Sequence, residues 1–160
     1  MASFNHGAYS SEKSTSLVSP ITASAGLQVY IGTAPVHLAS DPYATVGKPI
    51  VCYDFASCEQ QLGYSENFKE FTLCEAMDFN FRVFNNAPVI FINVLDPSNT
   101  SHTKKNAEES IQVSADGVAV YSKKYVLLDT LTVKSGSKTL ERWTDYVAEF
   151  SDGGALSISL

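Results

Sequence analysis

The chain has 160 residues, 44% of them hydrophobic, and carries 17 Asp and Glu against 11 Lys and Arg for a net charge of −6. That is enough apolar sequence for the core of one ordinary domain or two small ones, and it excludes a wholly disordered chain. The charge argues against a nucleic-acid ligand: cutting after Pro97 leaves 4 basic and 9 acidic residues before the cut and 7 basic and 8 acidic after it, so neither part holds the basic stripe that phosphate neutralisation requires.

Residues 1–24 make the first unit, a Ser/Thr-rich segment whose only charges are Glu12 and Lys13. Phe4, Tyr9, Leu17, Val18 and Ile21 are spaced too irregularly for a helical face, and Gly7 and Pro20 oppose a continuous helix. An extended arm remains. Its backbone donors and acceptors need partners, and adding a strand to a neighbouring chain supplies them. A frayed terminus without a role is the plainer reading of composition alone.

Residues 25–97 read as an α/β unit. Apolar Leu27–Ile31 is a strand closed by the Gly32-Thr33-Ala34-Pro35 turn, and Ile50–Tyr53 is a short extended segment. Asp54 caps a helix that runs through Leu62 and stops at Gly63. Thr72-Leu73-Cys74-Glu75 matches a capping box, and Leu73, Ala76, Met77, Phe81 and Phe84 continue from it at helical spacing until Asn85-Asn86 and Pro88. Val89–Leu95 is nearly all apolar and β-branched, the pattern of a strand covered on both faces.

Residues 98–107 are polar and form a linker. Residues 108–160 then alternate around short turns, a small antiparallel β-module expected to be a barrel or sandwich. Its strands are Ile111–Val113, Val118–Val120, Val126–Val133 and the segments on either side of Asp152-Gly153-Gly154, and its contacts to the α/β unit are expected to be few. The alternating Ala155–Leu160 ends without a polar tail, which reads as a truncated parent or an opened insertion domain.

Met1-Ala2-Ser3 lacks the basic start and apolar run of a secretory signal, and no run of about 18 apolar residues marks a span, so we expect synthesis in a cytoplasm and no membrane insertion. Cys52, Cys58 and Cys74 are odd in number and lack CxxC spacing, as reduced thiols do. Cys74 falls in the first turn of its helix, where the dipole lowers a thiol pKa, but no local signature pairs it with a histidine. His6, His37 and His102 lack metal-ligand spacing. Asp54 and Glu59 read as a cap and a solvated position. Trp143 with Tyr146 would make a sugar-stacking platform, although a lone Trp in a β-module is more often core. We therefore expect no catalytic residue, metal or cofactor.

Phe4-Asn5-His6-Gly7-Ala8-Tyr9-Ser10-Ser11-Glu12-Lys13, Gly32-Thr33-Ala34-Pro35, Leu62-Gly63-Tyr64-Ser65, Phe71-Thr72-Leu73-Cys74-Glu75-Ala76 and Asn93-Val94-Leu95-Asp96-Pro97, taken in order, resemble the N-terminal portion of bacteriophage contractile tail sheath proteins. The Asp145-Tyr146, Phe150 and Asp152-Gly153-Gly154 series resembles a hairpin of their inserted β-domain. The resemblance implies a non-enzymatic subunit of stacked rings around a tail tube, assembled in a bacterial cytoplasm and residing in the virion tail. Its implied partners are other copies of itself, with tube and baseplate proteins. The arm residues Phe4, His6, Tyr9, Glu12, Leu17 and Val18 become the expected subunit interface. Sheath proteins are much longer and carry a C-terminal portion with tube-facing contacts that this sequence does not contain. The rival reading is a small carbohydrate- or receptor-binding module, and a more distant one is a Cys74-dependent enzyme.

Overall fold

The computed structural model describes residues 26–151 and 153–160. Within them the chain is a small mixed α/β protein with short helices and three small sheets. In the first sheet, β1 (Gln28–Gly32) runs parallel to β3 (Val89–Asn93), and β2 (Pro49–Cys52) pairs antiparallel with the other side of β3. Register places Tyr30 and Ile50 on either side of Phe91, with Val89 and Cys52 paired beside them. This face is covered by Cys58 and Leu62 of α1 (Phe55–Leu62) and Leu73 and Met77 of α2 (Thr72–Met77).

Helix α1 begins and ends where local chemistry dictates. The Asp54 carboxylate accepts the Ser57 N–H at 2.8 Å, and Gly63, at φ 76°, donates its N–H to the Glu59 carbonyl at 2.8 Å. Gly63 is also required sterically, because a Cβ there would collide with the Pro35 carbonyl oxygen.

Helix α2 departs from its sequence pattern twice. Thr72 is no cap: its hydroxyl accepts the Thr33 N–H at 3.1 Å, while the Thr33 hydroxyl accepts the Thr72 N–H at 3.2 Å and donates to the Glu70 carbonyl at 2.6 Å. This long-range reciprocal pair takes the place of the expected capping box. After Met77 the helix widens into a π-turn over Asp78–Val83, closed by the Phe84 N–H on the Phe79 carbonyl at 3.1 Å. The wider turn breaks the 3.6-residue phase. Phe84 is therefore 61% exposed against the core position its spacing implied, and Asn80 points inward in its place. Asn80 is satisfied there, donating to the Ala76 carbonyl and accepting from Asn86 Nδ2.

The second sheet has the order β4 (Val118–Lys124), β8 (Ala155–Ser159), β7 (Val147–Phe150), all antiparallel, and β5 (Val133–Ser135) with β6 (Lys138–Leu140) forms a separate hairpin. Register lines up Ala119, Ile158 and Ala148 in one row and Tyr121, Leu156 and Phe150 in the next. With Tyr146 they build a second core. No barrel closes among the described residues, because β4 and β7 are both edges and the hairpin joins neither. The strand expected over Val126–Val133 is shortened to β5: Tyr125 turns left-handed at φ 58°, and Val126, Leu128 and Leu131 pack onto the core from a loop. Ile111–Val113 contributes only a single bridge, Val113 to Ala119. Residues 98–110 are exposed throughout.

Candidate functional site

Among the described residues, the sheet of the α/β unit has one covered face and one open face. Register places Val29, Ile90 and Val51 in one row of the open face and Ile31, Ile92 and Pro49 in the next. Among the described residues no element covers them: Val29 is 52% exposed, Ile31 68% and Val51 42%, with Ile90 and Ile92 half-buried. The run Val89–Asn93 has the sequence of a doubly covered strand, and the structure covers one side. Among the described residues β1 is moreover an edge strand. It carries no charge and no proline, the residues by which exposed edges are usually guarded, whereas the opposite edge strand β2 opens on Lys48-Pro49.

The motifs scattered along this half of the sequence meet at the end of β3. Buried Asn93 accepts the Ala34 N–H at 3.1 Å and the Leu95 N–H at 3.0 Å through Oδ1, and donates through Nδ2 to the Leu95 carbonyl at 3.2 Å. Gly63 packs on Pro35, and Thr72 bonds Thr33. Gly32–Pro35, Leu62–Ser65, Phe71–Ala76 and Asn93–Pro97 thus form one hydrogen-bonded knot beside the open sheet. Its chemistry is structural: the polar groups are occupied by backbone. Periodicity singles out neither Asn80 nor Asn93, since an Asn within or after an apolar run reads as an end signal.

The thiols do not make a nucleophile. Burial pushes Cys74 up to about 11, against the lowering that a helix N-terminus would give. Cys58 is driven up by its hydrogen bond with Cys52 and then by burial, and all three cysteines are fully buried. His37 is buried, while the exposed His102 accepts the Asp96 N–H through Nδ1. No group of three His, Cys, Asp or Glu among the described residues is arranged to hold a metal ion. No helix among them is long and apolar enough to cross a membrane.

Trp143 is 70% exposed, not core, and its backbone is left-handed at φ 70°. The Arg142 guanidinium lies 4.7 Å from its ring. Tyr146 is buried, so the two aromatics do not form one surface; they are linked by the Trp143 N–H on the Tyr146 carbonyl at 2.7 Å. The expected interface residues Phe4, His6, Tyr9, Glu12, Leu17 and Val18 lie outside the described residues.

No protein-family model matches the chain, and no curated protein or solved structure matches it significantly.

Proposed function

We propose that this chain is a non-enzymatic structural subunit that assembles with copies of itself, in the manner of a phage contractile tail sheath. The observation that carries the proposal is the uncharged β1 edge, flanked by the open apolar face of Val29, Ile31 and Val51. A surface of that kind, next to a rigid hydrogen-bonded knot, suits repeated protein contacts better than a small ligand. In this reading the arm of residues 1–24, with Phe4, His6, Tyr9, Glu12, Leu17 and Val18, adds backbone pairing to a neighbouring sheet, and the β-module is an outer lobe. Stacked rings in a virion tail, with tube and baseplate proteins as further partners and no cofactor, complete the proposal.

Sedimentation velocity over a concentration series, followed by electron microscopy of the fast fraction, tests it. Large, regular assemblies should appear above a threshold concentration and disappear in Val29→Lys/Ile31→Lys with the circular dichroism spectrum unchanged. A wild-type chain that stays monomeric at millimolar concentration refutes it.

A second reading has one observation in its favour. The exposed, left-handed Trp143 with Arg142 against its ring is the kind of strained aromatic that binding surfaces hold. A carbohydrate-binding role requires saturable quenching of Trp143 fluorescence by an oligosaccharide, lost in Trp143→Ala.

A further inference from the structure

The two cores meet at one aromatic cluster. The α/β unit contributes His37, on the single-turn helix Val36–Leu38, and Phe71, at the start of α2; the β-module contributes Tyr125, just after β4, and Phe150, the last residue of β7. The His37 ring centroid is 5.8 Å from Phe71, 5.0 Å from Tyr125 and 5.2 Å from Phe150, and Phe71 meets Tyr125 edge-on at 5.2 Å. Two hydrogen bonds also cross: Asn67 Nδ2 donates to the Tyr125 hydroxyl at 3.1 Å, and the Tyr43 hydroxyl donates to Asp129 Oδ2 at 2.9 Å.

Tyr125 is the projecting member. Its φ of 58° is an uncommon backbone state for a bulky residue, and such outliers persist only where their surroundings impose them. Gly154 accommodates it: the Tyr125 N–H donates to the Gly154 carbonyl at 3.3 Å, and the ring lies where a Cβ on Gly154 would stand only 2.9 Å away. The β-module therefore holds Tyr125 out toward His37 at a conformational cost. No β-pairing joins the two sheets among the described residues, and the connection 98–110 is exposed.

We infer that this cluster is an acid-released latch: neutral His37 holds the β-module against the α/β unit, and protonation of His37 frees the module to move on its exposed connection while both cores stay folded.

Burial lowers the His37 pKa from 6.5 to about 4. Aromatic faces attract a cation, but here the lost hydration of an imidazolium outweighs that attraction. The ionisable side chains on the surrounding elements are Asp41 after the single-turn helix, Glu59 on α1, Glu66, Lys69 and Glu70 before α2, Lys124 beside Tyr125 and Glu149 beside Phe150. None of them acts as a counter-ion, since burial alone sets the shift of His37. Glu70 engages Tyr125 instead and raises its pKa, and a phenol is in any case neutral through the acidic range.

The direction follows from linkage. An opened, solvated His37 titrates near 6.5 and the closed one near 4, so the latch is at full strength above 6.5 and weakens as pH falls. At ten-fold per pH unit, the closed-to-open ratio falls by about 300-fold across that interval and no further below it. The latch is independent of what the open sheet face binds.

The test is solution NMR of the full chain from pH 7.5 to 3.5, following the His37 ring resonances and the cross-seam NOEs His37–Phe150 and Phe71–Tyr125. These NOEs should fade between pH 6.5 and 4 in step with the His37 titration, while Tyr30–Phe91 and Ala119–Ile158, inside the two cores, persist. His37→Phe, which keeps an aromatic ring and cannot charge, should retain the seam at pH 4. Cross-seam NOEs that survive His37 protonation, loss of both cores in the same step, or equal release in His37→Phe would each overturn the inference. Should His37→Phe not fold, the wild type decides alone: release that follows His102 or a carboxylate instead of His37 overturns it.

Discussion

Replacing Asn93 with Leu removes the junction of the knot while keeping its volume. The Asn93 side chain is wholly buried and serves the Ala34 N–H, the Leu95 N–H and the Leu95 carbonyl at 3.1, 3.0 and 3.2 Å. Ala34 is also fully buried, so its N–H loses an acceptor that water cannot replace, at a cost of about 1–3 kcal/mol. Leu95 is half-buried and can rehydrate in part, which adds about 1 kcal/mol. The extra apolar surface of leucine returns about 1 kcal/mol. The expected net loss is about 2 kcal/mol, a large share of the roughly 5–15 kcal/mol that separates a typical native domain from its unfolded state. Urea unfolding followed by circular dichroism reads it as a lower midpoint at unchanged slope. The neighbouring Ile92→Val, on the open face, should cost under about 0.5 kcal/mol. A loss below about 1 kcal/mol in Asn93→Leu, with the slope unchanged, would show that the knot does not depend on the carboxamide.

Phe81→Ala should destabilise the α/β unit by about 1–3 kcal/mol in the same urea assay, less than a full core truncation, because Phe81 is half-buried and packs at the margin of Phe91 with ring centroids 6.1 Å apart. Gly63→Ala combines a left-handed backbone with a collision against the Pro35 carbonyl, and thermal unfolding should show a loss of more than about 2 kcal/mol. Trypsin should cut the native chain at Lys104 or Lys105 in the exposed connection and leave two resistant pieces by mass measurement; cleavage confined to the neighbourhood of Lys13 would mean that the connection is shielded.

What the sequence discloses here is what depends on neighbours along the chain. Asp54 and Gly63 bracket α1 because capping is local, and the apolar run of β3 marks a strand because its composition permits little else. Thr72 misleads because its hydroxyl is taken by Thr33, 39 residues away, and Phe84 because a π-turn is invisible to a 3.6-residue count. The central place of β8 follows from pairing over long separations, and alternation alone does not choose its partners. The latch is the extreme case. His37, Phe71, Tyr125 and Phe150 sit at ends and turns in four separate stretches, so no window of the sequence contains more than one of them. The open face was half legible, since the β3 pattern asks for two covers and the described fold supplies one.

The second face, uncovered among the described residues, bounds the kind of assembly proposed for the chain. Burying a Val or Ile side chain fully is worth about 1.5–3 kcal/mol, and Val29, Ile31 and Val51 are each about half exposed, so the face offers roughly 3 kcal/mol per copy. Two copies meeting face to face gain roughly 6 kcal/mol against an association cost estimated at about 4–15 kcal/mol. A discrete dimer held by this face alone is therefore weak. Backbone pairing along the β1 edge raises the gain, and a contact repeated around a ring raises it further, because each later contact forms at high effective concentration without a new association cost. In the proposed assembly, a face too weak to hold a dimer by itself would favour growth above a threshold, in which many individually marginal contacts close together.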